Sequence, residues 1–251
     1  MTWLASRIEK TSPEVYPTPG KVAEAIGGWY GGGGETLTQF INYMIVEDLE
    51  IVSLGLKISL EEFDGLNLVG MAQDGEEAVA MALSLKPDLI IMDLGLPKLD
   101  GTEATRRICQ ALPDTKILVM SSREGPRDIF SCFAAGASGY CRKDTSAGEV
   151  YRSMQALMQG EVTIEAAIAG RILDSWRELQ SGPPLVDHDG NAFVFSPAEL
   201  KLLAVMSEGL NNTDIGNRLN LDAQELNRQK QALKQSLAAL GSIIGQPEQN
   251  E

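Results

Sequence analysis

The sequence is poor in histidine and cysteine, the side chains that most often build metal and nucleophile sites. Its single histidine, His188, means that the chain cannot itself supply a histidine-based metal site or catalytic triad. The three cysteines, Cys109, Cys132 and Cys141, are odd in number, have no metal-like spacing and lie within apolar segments. We therefore expect buried, reduced thiols, as in a reducing cytoplasm.

Long apolar runs and basic residues are also scarce. No stretch reaches the roughly 18 apolar residues of a membrane span, and residues 1–10 lack the apolar core of a signal peptide. With 21 Lys and Arg against 35 Asp and Glu, the net charge is −14, which argues against broad affinity for nucleic acid or anionic lipid. We expect a cytoplasmic protein without membrane contact, whose 251 residues suffice for one sizeable and one small domain.

Short apolar runs alternate with helical segments through the middle of the chain. Strands are predicted near 42–46, 67–72, 88–93, 116–121 and 138–141. Helices are predicted near 49–62, 75–86, 102–111, 126–135 and 146–159. This alternation predicts a parallel sheet, and open parallel sheets build their sites at the carboxyl ends of their strands.

Polar residues follow four of these strands. They are the pair Glu47-Asp48, then Asp93, Ser121 and Lys143. Taken singly, each has an ordinary interpretation as a solvated loop, a helix cap or a solvated lysine. Together they indicate a magnesium-dependent phosphoryl-accepting site, because a carboxylate that attacks phosphorus needs a cation to offset the charge between two anions. Carboxylate oxygens are the ligands that magnesium prefers.

The arrangement resembles the receiver domain of bacterial response regulators over roughly residues 41–160. The most specific piece is the run 93–101, Asp-Leu-Gly-Leu-Pro-Lys-Leu-Asp-Gly. The resemblance implies an α/β fold, a flavodoxin-like (βα)5 receiver with a central parallel sheet, in which Asp93 is the phosphoacceptor. It implies a Mg²⁺ ion held by Glu47, Asp48, Asp93 and the backbone carbonyl of Gly95.

The same resemblance gives roles to three further residues. Lys143 would neutralise the phosphoryl oxygens, and Ser121 would donate a hydrogen bond to one of them. Tyr140 would be the aromatic switch that moves between exposed and buried forms, although an aromatic ring at a strand end is also ordinary core material. A receiver catalyses only its own phosphorylation and dephosphorylation, so we do not expect an enzyme in the usual sense.

After the receiver pattern, a helical stretch is predicted for 161–180. It ends at 181–184, Ser-Gly-Pro-Pro, which favours a linker and a domain boundary. The run 187–191 predicts a turn between short extended segments. It does not fit a calcium loop, because the twelfth position counted from Asp187 is Ala198. Residues 161–194 are thus predicted to be a helical linker and turn.

Residues 195–245 are predicted to form a small all-α domain. Ser196 can cap a helix that starts at Pro197. The run 207–221 resembles the central helix-turn-helix of the LuxR-type output domain of NarL-family regulators, and Lys143-Asp144 also suits that branch. Apolar residues at core-like spacing support the fold: Leu203, Leu210, Ile215, Leu219, Leu221, Leu226, Leu233 and Leu237.

The predicted recognition helix departs from this family. Where typical members have threonine, valine, lysine, any residue and histidine, this chain has Glu-Leu-Asn-Arg-Gln at 225–229. From residue 195 onward there are five basic and seven acidic residues, a net charge of −2, which weakens phosphate neutralisation on DNA. Side chains that can still bond base edges or phosphates are Gln224, Asn227, Arg228, Gln231 and Lys234.

Two functions therefore stay open. One is a transcription regulator that a sensor histidine kinase phosphorylates and that then pairs as a homodimer on DNA. The other is a signalling adaptor whose degenerate output domain binds protein. The outer face of residues 223–237 discriminates between them: a stripe of Arg228, Lys230 and Lys234 favours DNA, whereas an apolar or acidic stripe favours protein. Residues 1–40, with their glycine run, are predicted to be a flexible extension with a minority interpretation as a docking segment, and residues 246–251 a tail.

Overall fold

The structure, a computed structural model, describes residues 40–187 and 189–245. The predicted extension up to residue 39, His188 and the tail from residue 246 lie outside the described residues. The described part contains a parallel six-stranded sheet in the order β2-β1-β3-β4-β5-β6. The strands are β1 (Ile41–Val46), β2 (Leu66–Ala72), β3 (Leu89–Met92), β4 (Lys116–Ser121), β5 (Gly139–Arg142) and β6 (Thr163–Ile164).

Helices flank both faces of the sheet, as parallel strands require, because both faces of such a sheet are buried. They are α1 (Glu50–Leu60), α2 (Gly75–Leu85), α3 (Gly101–Ala111), α4 (Pro126–Ala135), α5 (Ala147–Met158) and α6 (Ala166–Leu179). The central strand β3 is buried at every residue. The first five strands and five helices confirm the sequence prediction, with ends that differ by at most two residues, the usual uncertainty of element ends.

The predicted helix over 161–180 is wrong at its start. Residues Thr163–Ile164 instead form β6, which pairs in parallel with β5, and helix α6 begins only at Ala166. The run Val162-Thr163-Ile164 is entirely β-branched and favours an extended backbone, and the Val162 and Ile164 side chains are buried. Strand pairing therefore overrides the helical continuation at this edge of the sheet.

The C-terminal part contains three helices, α7 (Pro197–Met206), α8 (Asn212–Leu219) and α9 (Ala223–Ile244). Their first turns are capped by the side chains of Ser196, Asn211 and Asp222, each of which accepts a backbone N–H. The helix that was predicted to start at Pro197 with Ser196 as its cap is confirmed. The predicted turn is present too, since Val186 and Ala192 form an antiparallel bridge.

Helix α9 packs directly on α4 of the receiver. At Gly241 the two backbones approach so closely that an added Cβ would lie 2.1 Å from the carbonyl oxygen of Phe130. The α9 side chains of Leu233, Leu237 and Leu240 are buried in the core cluster that also contains Phe130. The helical part and the receiver thus share one continuous core. No described helix has the length and apolar character needed to cross a membrane.

Candidate functional site

Three carboxylates meet at the carboxyl edge of the sheet. Glu47 and Asp48 directly follow β1, and Asp93 directly follows β3, the strand beside it. One oxygen from each lies within 4.8 Å of the others. The backbone N–H of Asp93 donates to the carbonyl of Val46 at 2.9 Å, which fixes the two strand ends together. Glu47 and Asp93 are buried, whereas Asp48 is exposed.

Lys143 brings one positive charge to these carboxylates. Its Nζ lies 2.7 Å from Oε2 of Glu47 and 3.1 Å from Oδ2 of Asp93. Burial lowers the pKa of Lys143, but the hydrogen bonds to Glu47 and Asp93 outweigh it and the pKa is raised. The pKa of Glu47 is raised, because burial and the neighbouring Asp93 carboxylate together outweigh the lowering by Lys143. One ammonium group does not balance three carboxylates, so the cluster retains negative charge for a cation.

Ser121 and Tyr140 lie next to the cluster and are both buried. The Ser121 Oγ accepts the backbone N–H of Arg123 at 3.2 Å, and the Tyr140 hydroxyl donates to the backbone carbonyl of Arg123. Burial raises the pKa of Tyr140, so the phenol stays protonated and can donate. The ring of Tyr140 is thus in a buried position, and both residues are joined to the loop that follows β4.

Arg123 is a site residue that the sequence prediction missed. Its Nη1 lies 3.1 Å from Oδ2 of Asp100 and 3.7 Å from Oδ1 of Asp128. Its Nη2 lies 3.8 Å from the position that a Cβ of Gly95 would take. The available signal was its position two residues after Ser121, on the loop at the edge of the sheet. Arg123 therefore connects the loop after β4 to the N-cap of α3 and to the first turn of α4.

The donor set fits a hard divalent cation. Such ions bind carboxylate and carbonyl oxygens. Here three carboxylates converge, and Lys143 is the positively charged residue paired with them. The residues that could hold the ion are Glu47, Asp48, Asp93 and the backbone carbonyl of Gly95. The N–H of Gly95 donates to Oδ2 of Asp93 at 3.2 Å, so the loop folds back over this carboxylate.

The candidate DNA-binding residues all lie on α9, but three of the five already bond other residues of this chain. The side-chain amides of Asn227 and Gln231 donate to the backbone carbonyl of Gly160 at 3.4 and 2.7 Å. Arg228 is exposed and paired with Glu225 at 2.7 Å. The remaining two differ: Gln224 is exposed, whereas Lys234 is half-buried, and the burial lowers its pKa.

No basic stripe is present on the outer face of α9 as the structure describes it. Lys230 is only 4% exposed. Its Nζ donates a hydrogen bond to Oδ1 of Asn212 at 2.5 Å and lies 3.7 Å from Oε2 of Glu161. The exposed positions are Ala223, Gln224, Arg228, Ala232, Gln235, Ala239 and Ser242. This face is neither basic nor acidic, and it is not markedly apolar, so the stripe does not discriminate between the two functions. It shows that α9 is engaged with the receiver.

Comparisons with known proteins agree with this geometry. The family model described as the response regulator receiver domain matches residues 43–155. The transcriptional regulatory protein LiaR of Bacillus subtilis (strain 168) is 35% identical over 179 residues, 71% of this chain and 82% of LiaR. The response regulator UvrY of Escherichia coli (strain K12) is 28% identical over 205 residues, 81% of this chain and 90% of UvrY.

Solved structures give the same result. A LuxR-family two-component response regulator from Aurantimonas sp. SI85-9A1 aligns at 32% identity with a TM-score of 0.52, covering 54% of this chain and 97% of that chain. RcsB of Salmonella typhimurium shares the fold at 22% identity and a TM-score of 0.53, covering 80% of this chain and 93% of that chain. The chain therefore belongs to the LuxR-type two-component response regulators.

Proposed function

We propose that Asp93 accepts a phosphoryl group from a sensor histidine kinase and that this controls transcription through the helix-turn-helix of residues 195–245. The observation that carries the proposal is the contact of Lys143 with Asp93 and Glu47 at the carboxyl edge of the sheet. An acceptor carboxylate beside two further acids and one lysine is the arrangement that phosphoryl transfer to an aspartate needs. Residues 161–194 would connect the two parts, and the protein would act in the cytoplasm.

In the proposed transfer, a carboxylate oxygen of Asp93 forms a bond to phosphorus as the bond from phosphorus to the donor nitrogen breaks. The Lys143 ammonium group already donates toward Oδ2 of Asp93. After transfer it would donate to the phosphoryl oxygens, which then carry the negative charge. The Ser121 oxygen accepts from Arg123, which leaves its own proton available for the phosphoryl group. A Mg²⁺ ion bound by Glu47, Asp48, Asp93 and Gly95 would supply charge neutralisation between the two anions.

The route from the acceptor to the output helix would pass through Arg123. Its backbone holds Ser121 and Tyr140, and its guanidinium holds Asp128 in the first turn of α4. When Ser121 turns toward a phosphoryl group, the loop that carries Arg123 has to move with it. Because α9 packs on α4, this movement would weaken the docking of α9 and free Asn227 and Gln231 for DNA.

Relatives support the transcriptional role over the adaptor role. LiaR is named a transcriptional regulatory protein, and a solved structure that shares the fold at 21% identity is described as two RcsB dimers bound to two parallel DNAs. We propose the same for this chain: a homodimer, favoured by phosphorylation, whose candidate DNA contacts are those on α9. Its only catalysis would be its own phosphorylation and dephosphorylation.

The acceptor assignment is tested with Asp93→Asn. We expect this variant to lose labelling by small phosphodonors in magnesium, because an amide is not a nucleophile toward phosphorus. The exposed Asp114→Asn serves as the control and should label like the wild type. Labelling of Asp93→Asn at the wild-type rate refutes the assignment.

The output role is tested by titrating fragmented host DNA with the full chain, with and without beryllofluoride and magnesium, at low and physiological salt. Sequencing of the retained fragments should show a few sites whose enrichment rises with the phosphoryl mimic. Retention that vanishes with salt and ignores the mimic would contradict DNA binding as the output.

A further inference from the structure

Glu165 joins the helix that follows the receiver to the turn that carries Lys143. It lies between β6 and α6, directly before Ala166. Its Oε2 atom accepts the backbone N–H of Arg142 at 2.7 Å and the hydroxyl of Thr145 at 2.8 Å. Its Oε1 atom accepts the Nε–H of Arg142 at 2.9 Å. One carboxylate therefore holds a residue on each side of Lys143.

These bonds are made in place of the usual helix cap. Glu165 is the N-cap of α6, a position where a short polar side chain normally accepts an N–H from the first turn of its own helix. Among the residues that the structure describes, the Glu165 side chain makes no such bond. The side chain is only 20% exposed. The carboxylate is thus committed to the Lys143 turn and not to the helix that it precedes.

Residues 142–145 form a tight turn at the carboxyl edge of the sheet. The backbone N–H of Thr145 donates to the carbonyl of Arg142 at 3.2 Å, which puts Lys143 at the first of the two central positions. A lysine side chain loses much rotamer freedom when its ammonium group is held in one place. Because Glu165 bonds both ends of the turn, the backbone of Lys143 is fixed before its side chain reaches Asp93. Holding the ammonium group there therefore costs less entropy.

We propose that Glu165 is a positioning residue of the acceptor site, which holds the turn of residues 142–145 so that the Lys143 ammonium group stays at the phosphoryl group on Asp93. The inference rests on the proposed phosphoryl transfer to Asp93 and adds to it a residue that touches none of the reacting atoms. Glu165 lies beyond residues 43–155, the part of the chain that matches the receiver model. The helix that follows the receiver thus helps to complete the receiver's site.

A second contact of α6 reaches the other loop of the site. Less than two turns after Glu165, the Nε of Arg171 lies 3.3 Å from Oε2 of Glu124, on the loop that also carries Arg123. Coupling between two binding events is reciprocal, so a phosphoryl mimic that binds Lys143 should in turn tighten the hold of the turn on α6. The amides at the start of α6 should then exchange their hydrogens more slowly when the mimic is bound.

The sign of the expected effect separates positioning from a simple change of charge. Removing a carboxylate makes the protein less negative, which by itself favours an anion such as beryllofluoride. Loss of positioning has the opposite sign, because Lys143 is then held less firmly at the bound anion. Mg²⁺ binds to carboxylates and not to Lys143, so its affinity should not depend on the turn.

The test measures both ligands on the full chain, with Mg²⁺ alone titrated by calorimetry and beryllofluoride at saturating Mg²⁺ titrated by fluorine NMR. In Glu165→Gln we expect the affinity for beryllofluoride to fall about tenfold, the loss expected when a bond to a charged group is weakened. The affinity for Mg²⁺ should equal that of the matched control, Asp174→Asn. This control removes a carboxylate and an arginine ion pair from the same helix, and it should bind beryllofluoride at least as tightly as the wild type. Thr145→Val, which removes a single bond to Glu165, should show a smaller loss in the same direction.

Lys143→Ala provides the decisive comparison. In that background Glu165→Gln should have no further effect on beryllofluoride binding, because Glu165 acts through Lys143. In the wild type the mimic should slow hydrogen exchange at the start of α6, and in Glu165→Gln it should not. An equal loss of affinity in both backgrounds, or wild-type affinity in Glu165→Gln, overturns the positioning role and leaves the acceptor assignment standing. A wild-type chain that binds no beryllofluoride and takes no label from phosphodonors overturns the proposed acceptor, and the positioning role with it.

Discussion

Gly241→Ala should loosen the docking of α9 on the receiver. In the structure an added Cβ at this position would lie 2.1 Å from the carbonyl oxygen and 2.5 Å from the carbonyl carbon of Phe130. Both atoms belong to the backbone of α4, so neither can rotate away as a side chain would. The methyl group is accommodated only if α9 moves away from α4.

The magnitude follows from the cost of the clash. Overpacking a core contact costs about 1–3 kcal/mol, and a clash with backbone belongs in the upper part of that range. The better helix propensity of alanine does not offset this cost, because α9 is a helix in both the docked and the undocked form. A cost to docking of about 2 kcal/mol raises the undocked population about 30-fold, since 1.4 kcal/mol is a factor of ten.

Hydrogen exchange followed by mass spectrometry measures this shift. Exchange of the amides in α4 and in the second half of α9 should accelerate by about the same factor, because local opening controls it. Gly148→Ala is the matched control: it is also helical, and its added Cβ would meet only Cζ of Phe63 at 3.9 Å. Equal exchange in wild type and Gly241→Ala would refute the reasoning that this contact holds α9 closed.

Three further predictions concern the receiver and the start of the helix that follows it. Lys143→Ala should uncouple Asp93 phosphorylation from the DNA response while circular dichroism shows an intact fold; a full response would count against its role. Partial burial raises the pKa of Glu165, but hydrogen bonds from the backbone N–H of Arg142, the Thr145 hydroxyl and the Arg142 side chain outweigh this and lower the pKa. Its stabilisation is thus complete above about pH 4.5 and is lost as the pH falls through the folded-state pKa, so urea titrations of wild type and Glu165→Gln should converge on acidification. Burial raises the pKa of the Cys132 and Cys141 thiols to about 12, so both should react with a thiol reagent only after denaturation.

The receiver fold was predictable because each strand and helix is marked locally. The run Leu89–Met92 is apolar at every position, which is typical of a strand buried on both faces, and it ends at the acid that was predicted as the acceptor. The edge of the sheet where such residues gather follows from parallel topology alone. Glu47, Asp93 and Lys143 are therefore brought together as their positions at strand ends predicted. The three thiols were expected to be buried and reduced: all three are free, and Cys132 and Cys141 are buried, but Cys109 is only partly buried.

Other features depend on contacts between distant segments, which no local pattern reports. Strand β6 was predicted as helix, because the partner that holds it, β5, lies more than twenty residues earlier in the chain. Arg123 looks like one more surface arginine until the fold places Asp100 and Asp128 beside it. The docking of α9 depends on a notch at Gly241 that is recognisable only when α4 lies against it.

The docking of α9 on the receiver also changes how much of the positive charge of the C-terminal helices is exposed. From residue 195 to the end of the sequence the net charge is −2 if every basic side chain is counted as free. In the docked form Lys230 is bonded to Asn212 with Glu161 nearby, and burial lowers the pKa values of both Lys230 and Lys234. The docked form therefore exposes less positive charge than the sequence suggests. Release of α9 would expose the ammonium groups of Lys230 and Lys234 on the helix that is proposed to bind DNA. Because affinity for DNA depends on phosphate neutralisation, undocking would favour DNA binding both by uncovering α9 and by exposing its positive charge.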